Sequence, residues 1–366
     1  MIKILHFNSN ISKNSGVLSV IMNYYCTINR EKIRFDFLYF DTIKPSYSEK
    51  ITELGGKSYK IVSPKNIRLF RKEFRKFLII HRGEYDILHI HDGIFARFVY
   101  DIAKEQEIKK VIVHSHATMY SDHRIASIRN RLVCYNISMY ADELFACSKA
   151  AGNFMFKNKE FYVMNNAIRT EKFAFSKEKR NKIRAELKLD NCLVVGHVGA
   201  FRNQKNHSFL LDIFKAMKDV PKQTKLLLIG DGLLLNEMRE KAKTLGVLKD
   251  VIFLGKREDT NDLYHAMDVL VLPSLFEGLP MVGVEAQCSD LPIVMSTNIT
   301  REVGIGEFEF VDLTESPKVW SETIFRLVMK HNTRSGKSAI EKLKKCGFDI
   351  GEESKKLENM YHRMIM

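Results

Sequence analysis

Two consecutive α/β domains, each built on a mainly parallel sheet, are what this chain predicts, and three observations carry the prediction. The first is length: 366 residues exceed one ordinary sheet unit and suit two of roughly 150 to 200 residues, because single cores stop growing near that size. The second is an alternation of strand-like apolar runs with helix-period segments that occurs twice along the chain. The third is a polar break at residues 165–180, NNAIRTEKFAFSKEKR, which separates the two series and leads into a basic helix.

In the first series MIKILHF precedes a helical segment at 16–29, and IRFDFLYF and SYKIV precede one at 66–82. DILHIH then leads to a helix at 94–105, VIVHS to a long segment, and ELFACS to a helix at 149–157 before FYVM. Repeated strand–helix units make the strands parallel, since parallel neighbours need a long crossover. The second series is CLVVGHVGAF, KLLLIG, VIFLG, DVLVLP, PIVMS and FEFVDL, each followed by a helical pattern or a turn. From Pro317 onward only helices are expected. The domains are therefore set at 1–170 and 171–348, with 349–366 as a terminal helix packing back on the first. No self-similarity at periods of 20 to 50 residues suggests a solenoid.

Composition is that of a folded protein, with 45% hydrophobic and 28% charged residues and no low-complexity tract. Cys26, Cys134, Cys147, Cys192, Cys288 and Cys346 are scattered, without a CxxC pair or zinc spacing, which points to a reducing cytoplasm. No stretch of 18 apolar residues and no signal-type N-terminus is read, so a chain that neither spans a membrane nor is secreted is expected. The net charge of +14 is uneven: residues 1–170 hold 27 Lys/Arg against 16 Asp/Glu, the remainder 31 against 28. The first half thus suits an acidic partner such as an anionic membrane surface or a phosphorylated acceptor; a nucleic-acid reading has only this charge behind it.

The most informative segment is PSLFEGLPMVGVEAQCSDLP, residues 273–292, after the apolar run DVLVL. Glu277 sits in a Gly/Pro turn, Pro280 stands where a first helical residue is favoured, and Glu285 lies about five residues into the helix. The helix start offers free N–H groups and the positive dipole end, which suits a diphosphate. Two solvated helix-terminal acids are an equally good reading of the residues alone.

The segment resembles the Glu-x7-Glu signature of the retaining glycosyltransferases of family 4, which have the GT-B fold. The resemblance extends through GHVGAFRNQKNHSFLLDIF, KLLLIGDGLLLNEM, VIFLGKREDTNDLYHAMDVLVLPS and PIVMSTNITREV, and more weakly through DILHIH, VIVHSHAT, ADELFACSKAA and NNAIRTEKF. It implies two Rossmann-like domains facing across a cleft, the first for the acceptor and the second for a nucleotide-diphosphate sugar. It also implies that Glu285 binds the donor ribose, that Glu277 contacts the transferred sugar, and that Gly278, Leu279 and Pro280 belong to the donor site.

In GHVGAFRNQKNH, Arg202 and Lys205 follow a strand and can meet charge growing on a departing diphosphate. The resemblance assigns Lys205 that role, but Ala200 stands where the family has Arg; either Arg202 reaches in or fewer charges hold the phosphates. His114 and His116 share strand parity, with Ser115 on the other face. His116 matches the family's active-site His, whereas His89 and His91 read as packing or lining residues rather than metal ligands. Gly16, in a Ser15-Gly16 pair where the family has two glycines, is expected to let backbone approach the donor. Gly230 and Gly232 lack the third glycine of a dinucleotide motif, Leu235 standing there, but the turn is expected to border the nucleotide, with Lys256 or Arg257 near the base. Residues 66–82, with Leu69, Phe70, Phe74, Phe77 and Leu78 among basic residues, read either as a lipid-surface helix or as a sheet-packed helix with a solvated basic face; RIASIRNRL, 124–132, adds charge.

The resemblance implies a retaining transfer of a hexose or N-acetylhexosamine, by default from a UDP-sugar. The expected acceptor is a glycan or polyprenyl-diphosphate-linked molecule of bacterial surface-polysaccharide synthesis. Without an Asp-x-Asp loop the reaction is expected to need no metal cofactor, in a cytoplasmic protein peripheral to the inner membrane face. An epimerase or phosphorylase of the same fold, or a non-catalytic nucleotide-sugar-binding subunit, are the alternatives.

Overall fold

The computed structural model describes residues 1–121, 124–331 and 333–366, of which the side chain of Arg124 is not described. These residues divide into two compact units, Met1–Ile168 with Asp349–Met366, and Arg169–Phe348. In chain order the first unit comprises β1 (Ile2–Asn10), α1 (Gly16–Thr27), β2 (Ile33–Asp41), α2 (Ser48–Glu53), β3 (Ser58–Lys60), α3 (Ile67–Ile80), β4 (Ile87–Ile90), α4 (Ala96–Glu105), β5 (Lys110–Ser115), α5 (Arg124–Val133), β6 (Glu143–Ala146), α6 (Lys149–Phe156) and β7 (Tyr162–Val163). The second contains α7 (Lys177–Glu186), β8 (Leu193–Val198), α8 (His207–Ala216), β9 (Thr224–Ile229), α9 (Leu235–Thr244), β10 (Val251–Gly255), α10 (Thr260–Ala266) and β11 (Val269–Leu272). It continues through α11 (Met281–Cys288), β12 (Ile293–Ser296), β13 (Phe308–Val311), α12 (Pro317–Lys330) and α13 (Gly336–Lys345). The last helix, α14 (Ile350–Ile365), returns to the first unit.

Both sheets are wholly parallel among the described residues, in the orders β3-β2-β1-β4-β5-β6-β7 and β10-β9-β8-β11-β12-β13. Strands covered on both faces need continuous apolar runs rather than alternation, and ILHI of β4, VLVL of β11 and IVMS of β12 are buried at every position. Local chemistry sets the helix starts: the Ser15 hydroxyl accepts from the Leu18 amide, the Asn66 side chain from Leu69, and the Ser148 hydroxyl from Ala151. In each sheet the strand order reverses at one place, between β1 and β4 and between β8 and β11. There the crossovers leave in opposite directions and open a crevice at the carboxyl ends of the strands, where open α/β sheets bind ligands.

The helix α14 has a physical tie to the first sheet. The Asp349 carboxylate caps it by accepting from the Gly351 and Glu352 amides, and the Ile350 amide donates to the Ile168 carbonyl at 2.9 Å. Further along, buried Tyr361 packs edge-on to Phe35 and sets its hydroxyl 2.9 Å from His89 Nδ1.

Candidate active site

In the second unit the loops after β8 and β11, the two strands at the order reversal, are tied together. The Gln204 carbonyl accepts from the Leu275 amide at 2.8 Å, and the Asn206 side chain donates to the Pro273 carbonyl at 3.1 Å. Asn206 itself has φ +54, a conformation Asn tolerates well. This tie brings Lys205 Nζ to 2.5 Å from Glu277 Oε1, while Gln204 Nε2 donates to the Phe276 carbonyl at 3.0 Å and to Glu277 Oε2 at 3.3 Å. Lys205 and Glu277 are each only 8% exposed, so this pair is held out of water at the crevice. The Glu277 carboxylate holds the Lys205 ammonium in a fixed position at the crevice, and an anion that shared this ammonium would meet it with little reorganisation.

Beyond Glu277 the chain runs through Gly278 and Leu279 to Pro280, which is the cap residue rather than the first helical residue, since α11 begins at Met281. Pro280 has ψ 117, an extended value, and its carbonyl already receives the Gly283 and Val284 amides. The amides of Met281 and Val282 precede those bonds and are the ones a helix leaves open to an anion. Glu285 lies half-buried on α11 and accepts from the buried Tyr264 hydroxyl at 2.8 Å. Burial pushes its carboxyl pKa up, and the Tyr264 hydrogen bond and Lys172 oppose that. Tyr264 and Gln204 were not singled out in the sequence, because aromatic and amide residues carry no spacing signature of their own.

Gly230 has a steric reason of its own. It adopts φ +143, and a Cβ there would stand 2.0 Å from the Gly199 carbonyl oxygen, so the loop after β9 lies backbone-to-backbone on the loop after β8. Arg202 is exposed, and its guanidinium forms no ion pair among the described residues. Arg257 is not joined to the Lys205–Glu277 pair: it is held in two contacts, 2.6 and 2.8 Å, by Asp259 at the edge of a cavity of about 230 Å³ lined also by α7 and α10 residues. The deeper His197 donates from Nδ1 to the Val271 carbonyl at 2.8 Å, and burial lowers its pKa to about 4.

In the first unit, the middle of β1 and the carboxyl ends of β4 and β5 bring together five imidazoles. His6 Nδ1 is 2.8 Å from His91 Nε2, and His91 Nδ1 is 2.9 Å from His116 Nε2; His89 Nε2 is 3.2 Å from His114 Nδ1. His114 and His116 stack at 3.9 Å, as their shared parity predicts, while the Ser115 hydroxyl donates on the other face to the Ala151 carbonyl. Burial lowers the His116 pKa to about 3, so it is neutral near pH 7. The trios His6–His89–His91 and His91–His114–His116 have nitrogens within 4.8 Å of one another, a spacing that could also hold a borderline cation such as zinc. Gly16 opens α1, and a Cβ there would meet nothing within 4 Å, so packing inside the unit does not demand glycine.

Within the basic segment 66–82 lies α3, and its inner face packs on the sheet. Phe70, Phe74 and Leu78 are core residues, with Phe70 and Phe74 against Phe7, and Arg71 and Arg75 are engaged by Asp101 and Glu105 of α4. These pairs neutralise two of its cations, whereas Arg68, Lys72 and Lys76 and the apolar Leu69, Ile79 and Ile80 stay exposed. Of the segment 124–132, the Arg124 side chain lies outside the described residues.

Comparison with known proteins fits this geometry. Residues 192–329 match the model of the family described as "Glycosyl transferases group 1". The "Putative glycosyltransferase EpsF" of Bacillus subtilis (strain 168) is 31% identical over 98% of this chain and 96% of its own length. A "UDP-Gal:alpha-D-GlcNAc-diphosphoundecaprenol alpha-1,3-galactosyltransferase" of Escherichia coli is 26% identical over 60% of each chain. Among solved structures, HepE of Anabaena in complex with UDP superposes with a TM-score of 0.81 over 99% of this chain and 100% of that one, at 19% identity, which shows a shared GT-B fold. The chain therefore belongs to the group 1 glycosyltransferases, enzymes that transfer a glycosyl group.

Proposed function

We propose that this glycosyltransferase moves a hexose or N-acetylhexosamine from a UDP-sugar, with retention of anomeric configuration, to a glycan or lipid-linked acceptor in bacterial surface-polysaccharide synthesis. The observation that carries the reading is the buried Lys205–Glu277 pair, 2.5 Å apart, at the strand-order reversal and one short turn before α11. The Lys205 ammonium and the amides of Met281 and Val282 meet the charge that develops on the departing diphosphate. Glu277 contacts the transferred sugar, and Glu285, oriented by Tyr264, takes the ribose. Neutral His116 serves as a hydrogen-bonding group to the sugar or acceptor rather than as a cation. Support for the uridine nucleotide and the lipid-linked acceptor comes from the Escherichia coli relative, whose name carries both, and from the UDP bound to HepE.

A cationic side chain and helix amides supply the stabilisation that a metal would otherwise give, so activity is expected to survive excess chelator; its abolition would refute the metal-independent step. Thermal stabilisation by UDP, ADP, GDP and a panel of their sugars is the broader test. A ligand at about 100 times its Kd stabilises the native state by about 2.7 kcal/mol. UDP and one UDP-sugar should raise the melting temperature, and a panel without any shift would sink the proposal. Ala200, exposed where family members have Arg, favours one other reading, a subunit that binds sugar nucleotides without turning them over. Release of UDP or transfer of sugar by the purified chain excludes it.

A further inference from the structure

Behind His116 stand two further imidazoles to which the transfer step gives no part. His116 Nε2 is 2.9 Å from His91 Nδ1, and His91 Nε2 is 2.8 Å from His6 Nδ1, so rings from three adjacent strands are hydrogen-bonded in series. His91 and His6 are 6% and 1% exposed, whereas His116, just past the end of β5, is half-buried. The two ends of the series differ in kind. His6 Nε2 is sealed from water without a partner, while His116 Nδ1 is not sealed and bonds nothing among the described residues.

A neutral imidazole has one N–H and one bare nitrogen, and the bond made by one nitrogen decides which form the ring takes. A ring that accepts at one nitrogen gives from the other, so the tautomers of the three rings are a single variable. Two arrangements exist. Inward donation strands an N–H at His6 Nε2, where no acceptor stands and the neighbouring rings are Phe35 and Phe37, 4.3 and 5.4 Å away between centres. A buried donor without an acceptor is what proteins avoid most, so donation runs outward and ends at His116 Nδ1–H. The adjacent imidazole pair does not interfere. His89 Nε2 and His114 Nδ1 lie 3.2 Å apart, His89 Nδ1 is engaged by the Tyr361 hydroxyl, and His114 meets His116 by stacking alone.

From this we infer that His91, backed by His6, is a positioning residue for the transfer: it fixes His116 as an Nδ1–H donor, so the sugar or acceptor atom that meets His116 is a lone-pair oxygen. The inference rests on the proposed role of His116 and adds which residue sets its form and the polarity of what it recognises. A ring locked in its binding form loses no tautomeric freedom when substrate arrives, and it disfavours a group that offers only hydrogens.

Nitrogen-15 spectra of the histidine-labelled full chain, with His116 assigned through His116→Asn, read the tautomer directly. The wild type should carry the His116 proton on Nδ1. His91→Phe keeps a ring in the gap but breaks both bonds; it should lose that fixed form and lower kcat/KM for UDP release from the stabilising UDP-sugar roughly tenfold, the worth of about one hydrogen bond. The dissociation constant of UDP, which lacks the sugar, should not move. His91→Asn can set an amide N–H where Nδ1 stands, and should restore the Nδ1–H form and most of the rate. Tyr361→Phe takes a bond from the adjacent pair alone and should leave tautomer and rate as in the wild type. The wild-type spectrum needs no variant, so a His116 proton on Nε2 overturns the inference even where His91→Phe does not fold. Equal rate losses in His91→Phe, His91→Asn and Tyr361→Phe would show a structural role only and overturn it as well. If His116→Asn transfers at the wild-type rate, the reading of His116 falls and the inference with it; if His116→Asn is slow but His91→Phe is not, the inference alone falls.

Discussion

At the scale of single residues, the site is governed by which charges are held and which are kept neutral. Lys205 and Glu277 are paired, whereas Glu285 is tied to a phenol, so the two acids should respond differently to loss. Glu277→Ala is expected to lower turnover by on the order of a hundredfold or more with donor binding largely kept. Glu285→Ala should instead weaken UDP binding, and titration calorimetry beside steady-state rates separates the outcomes; two silent substitutions would remove the site. Glycines divide as sharply. Gly230→Ala places a methyl against the Gly199 carbonyl at a positive φ and should cost on the order of 2–4 kcal/mol in denaturant unfolding. Gly16→Ala meets nothing and should stay within about 0.5 kcal/mol of wild type, so any loss of activity there reports ligand approach rather than folding. In the imidazole row each neutral ring donates once, so His6, His91 and His116 must all donate in one direction. Donation from His6 toward His116 leaves a bare acceptor at buried His6 Nε2 instead of an unpaired N–H, and makes His116 Nδ1–H the outward donor.

At the scale of elements, α14 and α3 show how far local sequence carries. The capped and amphipathic α14 is readable as a helix, but its attachment depends on Tyr361 meeting His89, 272 residues away in sequence. Tyr361→Phe should lower stability by about 1 kcal/mol through that one bond, while deleting 350–366 should leave the first unit insoluble because Phe35 and the α1 face lose their cover. Limited proteolysis and solubility of the truncated chain check this. The same dependence on distant partners shows in α3: its basic stripe is visible in sequence, but Asp101 and Glu105, which neutralise Arg71 and Arg75 of it, lie 30 residues on. For α11 the start differs by one residue, because Pro280 suits both a cap and a first turn and only its extended ψ decides.

At the scale of the whole molecule, buried neutral histidines make stability pH-dependent. Burial lowers His6 to about 3, His197 to about 4 and His207 to about 2, below the ordinary 6.5. The folded chain therefore binds fewer protons than the unfolded chain as pH falls through 6.5, and stability drops by about 1.4 kcal/mol per pH unit for each such histidine. Melting temperatures should fall steadily from pH 7 to pH 5, and a flat profile would show that these rings are solvated. Two parallel sheets were legible because doubly covered strands must be continuous apolar runs, and the strand–helix alternation leaves parallel pairing as the economical solution. The spacing of Glu277 and Glu285 and the parity of His114 and His116 were legible for the same reason, since they are local periodicities. What tertiary structure alone decided was partnership. The neighbouring of β1 with β4 gathered His6 to His91, and the closure of two loops set Lys205 on Glu277 across 72 residues. Sequence carries periodicity and local capping directly, whereas contacts between distant residues exist only once the chain has chosen its strand order.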